Sequence, residues 1–194
     1  MPASAMADKI ISSLSGALGS DGSKFTASKK SDGEKAIAKA ITDYIKSNTK
    51  INVSYVGLLP SGTPDPVVAD VCEVDGKIDP IVMGFGSTFD DWIKKVKEGI
   101  TKGFTIKQGI AGVSPLSPTK AFERGTISLT QGAIKSVHEG NMKNPQKAVW
   151  TKICEGILMW LNTSGPLQTP IPAQNTKSQS KGSPGMSVIK ITVI

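Results

Sequence analysis

The stretch Val149 to Leu161, VWTKICEGILMWL, is the most apolar helix-length segment of the chain, and its spacing decides the fold. Trp150, Ile153, Cys154, Ile157, Leu158 and Leu161 recur at three and four residues, the stripe of a helix that faces a core. The rest of the chain is expected to pack around this helix. Downstream the pattern dissolves into NTSGPLQTPIPAQNTKSQSKGSPG and then returns, from Ser187 to Ile194, as an apolar strand at the end of the sequence. A core helix, a long irregular connection and a terminal strand are the layout of a domain that carries a strand on an arm.

Working upstream, Asn144-Pro145 reads as the entry to that helix, with proline at the first helical position, where its missing N–H costs nothing. Gly125 to Val137 reads as one or two short strands, Thr126 to Leu129 and Ala133 to Val137. Ser87-Thr-Phe-Asp-Asp91 opens another helix: acids sit near the positive end of its dipole, Lys94, Lys95, Lys97 and Lys102 lie towards the negative end, and Ser87 is the expected cap. Phe89, Trp92, Ile93, Val96 and Ile100 form its inward stripe. Thr101 to Val113 holds a few strand-forming residues before Gly109 and Gly112 dilute them.

The sheet is written most clearly between residues 51 and 85. Ile51 to Leu59 alternates and then turns apolar, and Pro60-Ser-Gly-Thr-Pro-Asp-Pro66 forbids regular structure. Val67 to Val74 reads as a second strand, Asp75-Gly76 as a hairpin turn and Ile78 to Phe85 as the returning strand. Before them, Ser31-Asp-Gly-Glu34 has capping-box spacing and starts a helix with Ile37, Ile41, Tyr44 and Ile45 inward, ended by Asn48. Residues 1–18 read as an amphipathic helix with Ala7, Ile10, Ile11, Leu14 and Leu18 on one side, followed by a polar loop.

These elements give an α+β fold in which a small antiparallel or mixed sheet packs with three to four helices. The divisions are an N-terminal helix and polar loop over 1–30, the α+β core over 31–164, with helices at 34–48, 87–102 and 145–162, and a Pro/Ser/Gly-rich linker with a strand arm over 165–194. A chain of 194 residues buries roughly 70% of its unfolded surface, enough for a core without covalent staples. Cys72 and Cys154 fall in apolar contexts and are expected as buried thiols. The sequence has no secretory signal pattern, and no run approaches the ~18 apolar residues that span a bilayer. Synthesis and folding in a cytoplasm, with no membrane partner, follow as expectations.

The formal charge of +7 favours nucleic acid, anionic surfaces or an acidic protein as partner. Yet the lysines are scattered, Arg124 is the single arginine and aromatic residues make up 5%, a poor supply of the forks and stacking rings that read nucleic acid. Direct nucleic-acid binding is therefore kept as the alternative.

Catalytic signals fare worse. Gly84-Phe-Gly86-Ser-Thr88 stands where phosphate loops stand but lacks a third glycine and a Gly-Lys-Ser/Thr ending, and a tight turn accounts for it. His138 is the single histidine, so a zinc site or a Ser-His triad would rest on it alone. Asp65, Asp70, Asp75 and Asp79 lack the calcium-loop order, and only Asp75-Gly76 matches it. No catalytic residue, cofactor or metal is assigned. The residues assigned to contact are Val188, Ile189, Ile191, Val193 and Ile194 in the terminal strand, which as a free edge would invite pairing, with Ile10, Ile11, Leu14 and Leu18 of the N-terminal helix beside them. The strand has two outlets, its own domain or a neighbouring subunit: a coil from Asn162 to Met186 spans roughly 25–30 Å and extends to about 80 Å.

The run AIAKAITDYIKSNTKINVSYVGLLPSGTPDPVVAD, Ala36 to Asp70, resembles small virion structural proteins of tailed bacteriophages, particularly contractile-tailed ones. The later GFTIKQGIAG, the Ala121-Phe122 loop and the tryptophan-bearing helix follow in similar order, so the likeness spans about residues 31–162. The resemblance implies a structural, non-enzymatic component of a virion, in capsid, neck, tail or baseplate, with copies of itself and other virion proteins as partners. It transfers no individual functional residue.

Overall fold

The computed structural model describes residues 2–18, 27–56, 68–80, 84, 88–106, 121–122, 125–163, 167–171 and 185–193; for 27–28, 51–56, 68–72, 106, 167–171 and 185–193 the description is of the backbone. The order is α1 (Pro2–Leu18), α2 (Ala27–Asn48), β1 (Thr49–Val56), β2 (Val68–Gly76), α3 (Phe89–Gly103), β3 (Phe104–Ile106), α4 (Gln131–Gly140), α5 (Pro145–Thr163), β4 (Leu167–Ile171) and β5 (Gly185–Val193). The fold is α+β. The five strands among the described residues lie in the order β3-β2-β1-β5-β4, and every neighbouring pair is antiparallel.

The helix read first in the sequence is α5, and it is central. Ile153, Cys154, Ile157, Leu158, Trp160 and Leu161 are buried, while Trp150 is half-buried against the core. α1 and α4 pack on α5, α1 also packs on α2, and α5 and α2 reach the sheet through β5 and through β1 and β2. Asn144 starts α5 as expected: its side-chain oxygen accepts from Lys147 N at 3.1 Å and its carbonyl accepts from Ala148 N at 3.1 Å. A chain of rings ties α5 to the edge of the sheet, with Phe104 packing on Phe122 at 6.1 Å between centroids and Phe122 on Trp160 at 6.2 Å. Fully burying each such side chain contributes about 1.5–3 kcal/mol.

Four sequence readings are corrected. The helix expected to start at Ser31 starts at Ala27, so Ser31 to Glu34 lie inside α2; Gly33 of that segment packs beside Leu14 and Leu18 of α1. Tertiary packing here extends a helix past a local start signal. It does end at Asn48, whose side chain donates to the Tyr44 carbonyl at 2.8 Å. Second, the N-cap of α3 is Thr88 instead of Ser87: its hydroxyl accepts from Asp91 N at 3.1 Å and donates to Asp91 Oδ2 at 2.8 Å. Third, Ala133 to Val137 is not a strand but part of α4, capped by Thr130, whose hydroxyl accepts from Ala133 N at 3.3 Å; residues 126–129 form no strand either.

The fourth correction changes the sheet. Asp75-Gly76 does not turn a hairpin into Ile78 to Phe85: residues 77–80 lie outside any strand, and of the remainder only Gly84 is among the described residues. The second partner of β2 is β3, with Gly76 opposite Phe104. Gly76 does take a positive φ, +131°, as a turn glycine would, but what the position requires is closeness. A Cβ on Gly76 would collide with the Gly103 carbonyl oxygen, and one on Gly103 with the Lys77 carbonyl. Through this glycine crossing, Lys77 N donates to Gly103 O at 3.1 Å.

Candidate interaction surface

Among the described residues no group of three or more His, Cys, Asp or Glu side chains is placed to hold a metal ion. His138 sits exposed on α4, and its carbonyl closes the helix by accepting from Asn141 N at 3.4 Å. Of the loop 84–88, residues 85–87 lie outside the described set, as do Arg124 and Asp65. Asp75 accepts from Gly76 N and pairs with Lys46 at 2.8 Å, while Glu73 pairs with Lys50 at 3.2 Å. Most acids on the helices likewise face a lysine, such as Asp8 with Lys147 at 2.9 Å and Glu155 with Lys152 at 3.1 Å. Exposed pairs of this kind contribute about 0–1 kcal/mol each, but they break up the positive surface.

One open groove of about 390 Å³ runs along the start of α5, lined by Asn141, Asn144, Lys147, Ala148, Thr151, Lys152 and Glu155. Its two cations already face Asp8 and Glu155, and Asn144 is spent on capping. The groups whose acidity is disturbed by burial lie elsewhere. Burial pushes the Cys154 thiol up to about 12, and Tyr44 is raised by burial and by its proximity to Cys154. These are packing effects in the interior, and Cys154 is a free, buried thiol, as its apolar context suggested.

The residues assigned to contact divide into two groups. In α1, Ile10 is fully buried and Leu14 packs against the core, while Ile11 and Leu18 are half-covered. The expectation of an outward contact through Ile10 is therefore corrected: α1 spends its apolar face on its own chain. It is also pinned there, since the Tyr44 hydroxyl donates to the Pro2 carbonyl at 3.0 Å and the Lys9 ammonium stands 5.7 Å from the Tyr44 ring centroid.

The second group is in β5, which runs antiparallel to β1 on one side and to β4 on the other. Val188, Ile189, Ile191 and Val193 stand opposite Ser54, Val53, Ile51 and Thr49 of β1; Ile194 lies outside the described residues. Thr49 and, across on β2, Val74 are buried, whereas Lys50 and Glu73 pair on the solvent side. Strand alternation then puts Ile189, Ile191 and Val193 at the register of the buried parity and Val188, Lys190 and Thr192 at the other. A one-residue slip would exchange the two sets, so the pairing is specific.

Among the described residues both outer strands are short. β3 has three residues, and β4, five residues long, carries Pro170, which has no N–H to offer a further strand. The long strands β1, β2 and β5 lie inside this order, with β3 covering Val74 to Gly76 of β2 and β4 covering Gly185 to Ile189 of β5. Sequence reading missed β4, because LQTPI with its proline reads as linker, and it missed two large apolar side chains left in solvent, Met142 at 94% and Met159 at 67% exposure. Among the described residues no helix is long and apolar enough to cross a membrane. Comparison with protein-family models, with curated proteins and with solved structures finds no match.

Proposed function

We propose that this chain is a non-enzymatic structural component of a tailed-phage virion, built into capsid, neck, tail or baseplate, that works through protein–protein contacts including its C-terminal strand. The observation that carries the reading is the position of β5, which fills the slot between β1 and β4 behind the polar connection 172–184. Strand addition supplies a row of main-chain hydrogen bonds with a register fixed by side-chain parity, a joint suited to repeated identical contacts. The phage assignment itself rests on the resemblance of residues 31–162.

The alternative is a basic accessory protein that binds nucleic acid or another polyanion, for which the +7 charge speaks. Salt separates the two, because binding through many lysines falls steeply with ionic strength whereas an apolar joint persists. The test is the solution mass of the full chain by light scattering at ~1 mM subunit in ~0.15 M and ~1 M salt, with and without duplex DNA. Association that persists at high salt without DNA is the expected result. A monomer under all conditions, or a complex that forms only with DNA and dissolves in salt, overturns the proposal.

A further inference from the structure

We infer that β5 exchanges between copies of this chain: β5 of one copy occupies the slot beside β1 of another, and the in-chain pairing is the form taken by a dilute subunit. The inference rests on the assembly reading above and names its partner, a second copy. Two features support it. β1 is paired along its whole length, Thr49 to Val56, by β5, so this eight-residue edge is offered only when β5 leaves. The neighbouring strands β4 and β5 are joined by residues 172–184, well beyond the two to five residues that usually close a hairpin. Extended, that segment reaches about 40 Å, enough to carry β5 across to an adjoining subunit.

An exchanged strand makes the same hydrogen bonds and the same side-chain register as the in-chain one, so the two forms differ mainly in linker entropy and concentration. A tether of this length holds its strand at an effective concentration in the millimolar range. In-chain pairing therefore dominates at micromolar concentration, and exchange takes over where subunits are crowded to millimolar levels, as they are once laid side by side in a shell or tube. Exchange is then coupled to assembly, and soluble subunits are protected from premature linkage.

The test uses two full-length single variants, Ser54→Cys in β1 and Val188→Cys in β5. These positions are directly opposite in the register, at the parity away from Thr49 and Cys72. Opposed residues in antiparallel strands have Cα atoms ~4.5–5.5 Å apart, within disulfide range. The two variants are mixed in denaturant, refolded together at ~1 mM and at ~1 µM subunit, and oxidised. The expected result is a covalent heterodimer joining the two variants at the higher concentration, with at least a tenfold lower yield at the lower. A double variant, S54C/V188C, is the control. If it closes within one chain while the mixture yields no heterodimer at ~1 mM, exchange is overturned. If neither closes, β5 does not pair with β1 and exchange falls as well. Light scattering on the same samples separates the two proposals: oligomers without a cross-link refute exchange and leave assembly standing, whereas monomers throughout refute both.

Discussion

Replacing Gly76 by alanine tests the crossing that joins β2 to β3. An L side chain at φ +131° is strained by about 1–3 kcal/mol, and its Cβ collides with a main-chain oxygen that has no rotamer to escape through. Relief requires β2 and Gly103 to separate, which breaks the 3.1 Å bond from Lys77 N to Gly103 O and costs about 1 kcal/mol more. The total is about 3 kcal/mol, roughly two orders of magnitude in the unfolding equilibrium and a fall of about 6–12 °C in Tm. Gly16 in α1 is the internal contrast: nothing lies within 4 Å of its would-be Cβ, so Gly16→Ala should gain about 0.5–1 kcal/mol from helix propensity. Denaturant unfolding followed by circular dichroism measures both midpoints. A Gly76→Ala chain within ~0.5 kcal/mol of the parent, at unchanged slope, would refute the crossing as the reason for glycine there.

The remaining predictions concern single interior groups. In a Cys72→Ala background, Cys154 should react with a disulfide reagent only as fast as the chain unfolds, as read by the rate of thiol release. Its raised pKa also gives a sign: the folded state favours the protonated thiol, so this stabilisation is fully present below the unfolded value near 9 and is lost as pH rises towards about 12. Cys154→Ala, compared with the parent by denaturant melts across that window, should lose less stability with rising pH. Tyr44→Phe removes the bond to the Pro2 carbonyl and should cost about 0.5–1.5 kcal/mol, with faster hydrogen exchange in α1 as the local signature. Thr49 is fully buried and its hydroxyl has no hydrogen-bond partner among the described residues, so Thr49→Val should be neutral or stabilise by up to about 1 kcal/mol in the same melts.

The elements legible in the sequence were those whose signal is repeated along a helix. α5 announces itself through six apolar positions at helical spacing and a proline at its entry, and α3 through its acids at one end and lysines at the other. What was illegible depends on partners distant in sequence. Asp75-Gly76 has the local chemistry of a hairpin, but Gly76 is required by Gly103, 27 residues on, and nothing near Gly76 reveals that. Ile134 and Val137 are residues at home in a strand, yet they lie half-buried in a helix, because Thr130 caps it and α5 offers a face to pack on. Ser31 to Glu34 has the grammar of a helix start and is overruled by packing on α1. The interaction surface followed the same division. The apolar run from Val188 to Val193 reads directly as a strand, whereas its slot between β1 and β4 follows only from the sheet order.

The most direct test of the central claim, that the C-terminal strand is the joint between subunits, is sedimentation velocity of the full chain and of Ile189→Pro at concentrations up to ~1 mM. Ile189 faces Val53 on one side and Leu167 on the other, and proline at such an interior strand position removes a ladder bond and does not fit the sheet. The account predicts that the parent associates as concentration rises, at high salt as well as low, and that Ile189→Pro sediments as a monomer with its helical circular dichroism retained. Association of the variant to the same extent as the parent would contradict it.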